Sequence, residues 1–241
     1  MLNWLKSPAS ETQVTHGQRL WLYAFAAIIM MLLVLPTLIV IPMSFSDSQY
    51  LEFPPETWSL RWYRNYFGSA EWMQATATSL KTAVLTMLVA TPIGVLAAYA
   101  LHASRLPYIR AAFVLLITPM MVPVVLIAVG AFYAYVKLQI LYTITGLVLA
   151  HSLLAIPLVV IVTGSALQGF DMNLEQAARS LGAPRWRAFL TITLPQIRFA
   201  VVTSMLLSFL ASFDEVVIAM FISGGDNPTL TRNMFNALRD Q

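Results

Sequence analysis

An all-α, polytopic membrane helix bundle is the fold class this sequence predicts, and three observations carry the prediction. Hydrophobic residues make up 59% of the 241 and charged residues only 10%, a balance that suits a chain in lipid rather than a soluble domain. The apolar residues gather in blocks of about twenty or more, the helical length needed to cross a hydrocarbon core of about 30 Å. Proline and glycine recur inside the blocks (Pro36, Pro92, Gly94, Pro119, Pro123, Gly130, Pro157, Gly164), which membrane helices tolerate and most soluble helices do not. Ordinary membrane-helix composition and hinges in a gated bundle both account for them.

Residues 1–18, with Lys6, Pro8, Glu11 and His16, are polar and lack an apolar stripe, so a loosely ordered cytoplasmic tail is expected there, ahead of one membrane domain over 19–241. The first span covers about 20–43. It is too long for a signal-peptide core and no small-residue cleavage site follows, so it stays as an anchor. The loop after it, 44–72, is rich in aromatic residues (Tyr50, Phe53, Trp58, Trp62, Tyr63, Tyr66, Trp72), the composition of an interfacial belt. Further spans fit 73–102, 109–136, 143–168 and 198–222, five in all, and the polar stretch 223–241 falls outside.

Charge sets the orientation, because Lys and Arg near span ends stay in the cytoplasm. With the N-terminus inside, that side holds Lys6, Arg19, Arg105, Arg110, Arg179, Arg185, Arg187 and Arg198, against Arg61, Arg64, Lys137, Arg232 and Arg239 outside. The net charge of +3 gives no nucleic-acid footprint. Cysteine is absent, which excludes disulfides, thiolate metal sites and cysteine nucleophiles, and no metal site is expected.

The segment between the fourth and fifth spans, 169–197, reads as two short helices. Asp171 or Asn173 can cap the first by accepting a free backbone N–H, Glu175 lies in its first turn, and Gly182 can end it in a left-handed turn. Pro184 suits the start of the second helix and Pro195 its end. Leu174, Ala177, Ala178 and Leu181 share one side of the first helix, a small-residue face suited to a groove on another protein.

These residues resemble the cytoplasmic loop of the permease subunits of binding-protein-dependent ABC importers, whose pattern is Glu-Ala-Ala, three residues, Gly, nine residues, Ile, one residue, Leu-Pro. Ala177, Ala178, Gly182, Ile192, Leu194 and Pro195 keep that spacing, while Gln176 stands where the family's glutamate is usual and Glu175 comes one residue earlier. The resemblance implies an ABC type I importer-like fold, with a sixth span in full-length members. It implies a coupling helix, Leu174 to Pro195, seated on an ATP-hydrolysing subunit. It further implies a bacterial inner-membrane location, a second permease, homologous or identical, two ATP-binding subunits and an extracytoplasmic substrate-binding protein.

A nucleotide-binding loop ends in Gly-Lys, and none of Lys6, Lys81 or Lys137 follows a glycine. ATP and Mg are therefore expected in partner subunits, with no cofactor and no catalytic residue in this chain. His151 and Ser152 are adjacent in a helix and point about 100° apart, so they do not make a base–nucleophile pair.

Asp214 and Glu215 fall about sixteen residues into the fifth span, about 24 Å from its cytoplasmic end at the helical rise. Charges at that depth face protein or water. On a continuous helix Glu215 shares a face with Ser204, Ser208 and Ser212, and Asp214 with Leu207, Leu210 and Phe221. Pairing with Lys81 or with a partner permease is one account of the acids. The other is a cation pathway through Asp214, Glu215, Ser208 and Ser212. The stretch from Ser212 to Ala219 is similar to the acidic stretch of spermidine/putrescine permeases, which implies a small cationic solute; opine, phosphonate, 4-aminobutyrate, iron and thiamine systems have related permeases. An ion-gradient-driven secondary transporter or channel is the alternative.

Overall fold

The computed structural model describes residues 7, 15–50, 52–104 and 107–239. Most of the tail expected over 1–18, including Lys6, Pro8 and Glu11, lies outside the described residues, as does Arg105. The chain is all-α, and it divides into two compact units, Met1–Ser69 and Ala70–Gln241.

In the first unit, α1 (Leu20–Met43) has 24 residues, about 36 Å of helix, and is apolar on every side with no buried residue of its own. Such a helix has the length and composition of a membrane span. The chain then folds back through Ser44–Tyr63, Arg61–Asp47 and Trp62–Ser48 contacts (2.8, 3.6 and 3.1 Å) to the short α2 (Arg61–Gly68). Tyr50 and Trp58 stay exposed, as an aromatic belt at a membrane surface would be.

The second unit is built on α3 (Ala70–Ala103), α6 (Ile144–Gln168) and α10 (Arg198–Phe213), which pack on one another. The buried face of α3 is made of small and hydroxyl residues, among them Ser79, Thr82, Ala83, Thr86, Ala90 and Gly94. With no hydrophobic drive between helices in lipid, such residues let backbones approach. A Cβ at Gly94 would stand 2.5 Å from the Val159 Cβ, so α3 and α6 approach closely there. About two turns further along, His151 Nδ1 lies 2.8 Å from Ser212 Oγ, which in turn lies 3.3 Å from Thr86 Oγ1, joining all three helices.

Among the described residues three helices are long and apolar enough to cross a membrane, and up to five spans result if each of two bent pairs counts as one. The span expected at 109–136 is one such pair, α4 (Ile109–Met121) and α5 (Val124–Leu138), bent by 97°. Pro123 lacks an N–H and pushes Val122 out of the helical region to ψ 134°, which opens the bend. The other pair bends by 80° at Ile197, between 185–196 and α10. Helix 185–196 comprises α8 (Arg185–Ala188), a π-helical turn (Phe189–Thr193) and α9 (Leu194–Gln196). The wide turn accommodates the donor missing at Pro195, so the chain remains helical one residue past that proline.

The span expected at 198–222 is also interrupted. After α10 the chain leaves the helix over 214–216 and resumes as α11 (Val217–Ile222), which packs with α5 and α6 around Ala128, Leu147 and Ile218. The polar stretch expected beyond residue 222 contains α12 (Leu230–Arg239), packed against α3; the Leu230 N–H donates to Ser79 Oγ at 2.8 Å and Gln74 Nε2 to the Asp226 carbonyl at 2.7 Å. Leu230, Met234 and Leu238 recur at helical spacing, a stripe that average polarity conceals.

Candidate functional site

Between α6 and α8 lies α7 (Met172–Ser180). Asp171, in extended conformation, caps it by accepting the Asn173 N–H at 2.9 Å, so of the two candidate caps the first is used. At its far end the Ala183 N–H reaches the Ala178 carbonyl (3.1 Å) and the Gly182 N–H reaches that of Arg179 (3.0 Å), the paired bonds of a Schellman turn. Gly182 closes it at φ +94°, where a Cβ is strained. Both ends of α7 are thus closed by local bonds.

The helix presents an apolar face. Leu181 is 90% exposed, and Leu174, Gln176 and Ala177 are exposed beside it, with Ala178 half-buried and Gly182 open to solvent. Trp186, at 66% exposure, adds a large ring just beyond the turn; its helix is only one turn long and leaves no periodic signal in the sequence. The end of the motif behaves differently. Ile192 is half-buried and Leu194 packs against the cluster of Val95, Ala98, Tyr99 and Phe189, so these two tie the segment to the bundle, while Pro195 is exposed.

Glu175 is 1% exposed and is the one buried residue of α7. Its Oε1 accepts the Tyr99 hydroxyl and its Oε2 the Thr193 hydroxyl, each at 2.6 Å. The Tyr99 ring packs on Phe189 at 4.6 Å and carries the Arg185 guanidinium 5.9 Å above it. No sequence signal pairs a residue of the second span with one in this loop.

The residues considered for a pathway divide between two places. Ser208 and Ser212 are buried on the face of α10 turned to α3 and α6. Asp214 is exposed and its N–H ends α10 on the Leu210 carbonyl at 3.0 Å. Glu215, half-buried, accepts the Ile218 N–H at 2.9 Å and so starts α11, and its own carbonyl accepts the Thr231 hydroxyl at 2.9 Å. Because the helix breaks here, the face expected to join Glu215 to the serines stops at Phe213. Neither acid forms an ion pair with Lys81, which is exposed on α3.

Residues 90–238 match the family described as the binding-protein-dependent transport system inner membrane component. The chain is 31% identical over 217 residues to the spermidine/putrescine transport system permease protein PotC of Haemophilus influenzae, covering 90% of this chain and 84% of that one. It is 32% identical to the putrescine transport system permease protein PotI of Escherichia coli over 85% of this chain and 75% of the relative. It is likewise 32% identical to the molybdenum transport system permease protein ModB of Escherichia coli, over 70% and 80%. Among solved structures, a bacterial ABC transporter involved in the import of the acidic polysaccharide alginate superimposes with a TM-score of 0.70 at 16% identity, covering 95% of this chain and 88% of that one.

Proposed function

The chain belongs to the binding-protein-dependent transport system inner membrane component family, the permeases of ABC importers, and from that premise we propose that it couples ATP hydrolysis on partner subunits to polyamine import through α7. It is a multi-pass inner-membrane protein and a transporter subunit rather than an enzyme. The observation that carries the coupling proposal is the apolar face of α7, with Leu181 90% exposed on a helix fixed at both ends. Exposed leucines on a short helix capped at both ends fit a groove in a second protein.

In this reading two ATP-binding subunits each receive one such helix, from this chain and from a second permease, homologous or identical. An external binding protein delivers the solute on the opposite side, and the N-terminus lies in the cytoplasm. ATP binding draws the α7 helices together and tips the bundle between its two access states, an equilibrium biased by differential binding.

The names of PotC and PotI favour a polyamine, whereas that of ModB belongs to a different solute. The exposed Asp214 carboxylate beside a helix break favours the cation, since charge at membrane depth is retained where it meets charge or water. Replacing Asp214 by Asn is expected to lower labelled spermidine or putrescine uptake by roughly tenfold, with unchanged amounts of chain in the membrane, an effect of about 1.4 kcal/mol at a charge-assisted contact. Full polyamine uptake in Asp214→Asn would remove Asp214 from the pathway, and uptake of molybdate in place of polyamine would overturn the solute assignment.

A further inference from the structure

The single buried residue of α7 is an acid, and this is a costly choice for a position that apolar packing would fill. An apolar side chain holds a helix against a bundle but resists sliding and rotation only weakly. A carboxylate with one directional hydroxyl bond on each oxygen resists both. Glu175 has that arrangement, and its two donors lie on different elements: Tyr99 near the end of α3, and Thr193 in the π turn that leads to α10. Tyr99 is itself held by Phe189, and Thr193 is fully buried.

Deepening the coupling proposed above, and resting on it, we propose that Glu175 is a latch that transmits displacement of α7 to α3 through Tyr99 and to α10 through Thr193. Glu175 then acts inward as a positioning residue, and the contact with the ATP-binding subunit belongs to Leu174, Ala177, Leu181 and Trp186. Motion of α3 passes on to α6 where Gly94 meets Val159 without room to slip.

The test uses the complex of this chain with its partner subunits in liposomes, with Tyr99→Phe, Thr193→Val and Glu175→Gln. Tyr99→Phe keeps the ring on Phe189 and removes only the hydroxyl, so folding is preserved where Glu175→Gln is too disruptive to recover. Three quantities are read: ATP-binding subunit recovered with the chain, ATP hydrolysis, and solute imported per ATP hydrolysed. The expected result is full recovery and sustained hydrolysis, with solute per ATP reduced at least tenfold in Tyr99→Phe and in Glu175→Gln. Combining those two is expected to reduce it no further than the larger single effect, because Glu175→Gln takes away the charge that strengthens the Tyr99 bond and Tyr99→Phe takes away its donor.

An unchanged solute-to-ATP ratio in Tyr99→Phe and Thr193→Val overturns the latch while leaving docking by α7 intact. A fall in hydrolysis and import together, in step with lost complex, also overturns it, since a purely structural role moves both alike. Failure of the unaltered chain to recover any ATP-binding subunit sinks the coupling reading itself, and the latch with it.

Discussion

Gly182→Asp is expected to reduce ATP-driven uptake by at least a hundredfold while the chain inserts and folds as before. The residue sits at φ +94° in the turn that ends α7, and no atom comes within 4 Å of the Cβ it lacks. A side chain there meets no clash within this chain. It does pay for a left-handed backbone, about 1–2 kcal/mol for a non-glycine residue, and that strain loosens the turn that holds Leu181 in place. Aspartate also sets a charge in the middle of an apolar docking face, where desolvation on assembly is most costly. Gly182→Ala carries the strain without the charge and is expected to fall between the two. The check is uptake normalised to chain in the membrane fraction, and normal uptake in Gly182→Asp would mean that this face docks nothing.

At Gly94 the expected loss is of stability. A Cβ there would stand 2.5 Å from the Val159 Cβ, 2.6 Å from its Cγ1 and 3.2 Å from the Ile156 carbonyl oxygen. Val159 is β-branched and fully buried, so it has one comfortable rotamer in the helix and no space to swing into. Relief therefore requires α3 and α6 to move apart, which opens the packing on which α10 also rests. Overpacking of this kind costs about 1–3 kcal/mol, and Gly94→Leu should exceed Gly94→Ala. Thermal unfolding in detergent is expected to show both variants lowered, Gly94→Leu the further. Equal melting of Gly94→Leu and the unaltered chain would contradict the close approach of these helices.

Much of this arrangement is legible in the sequence, and the omissions share a cause. Long apolar blocks identify α1, α3 and α6 because hydropathy and helix length are both local quantities. The cap at Asp171 and the left-handed turn at Gly182 are local as well, and the residue types announce them. Hydropathy is blind to direction, however. The 97° bend after Met121 leaves an apolar block looking continuous, although Pro123 supplies its cause. The break at 214–216 was hidden because two charged residues read equally well as part of a helix lining a pathway, whereas Glu215 in fact starts the next helix.

The bond between Glu175 and Tyr99 joins residues 76 positions apart, and nothing in either neighbourhood points to the other. Glutamate in the first turn of a helix is favoured by the helix dipole wherever it points, so its presence in the sequence gives no hint of burial. The exposed members of the motif and the buried one therefore look alike until the chain is folded. Leu194 shows the reverse case: it falls within the motif that suggests docking, yet it is packed inward on the Val95 and Tyr99 cluster.

The most direct test of an ATP-coupled permease is to purify the tagged chain in mild detergent and identify what accompanies it. A stoichiometric subunit carrying a phosphate-binding loop is expected with the unaltered chain and is expected to be lost with Gly182→Asp. A chain that purifies alone and moves solute across liposome membranes without ATP, stopping when the proton gradient is dissipated, would contradict ATP coupling.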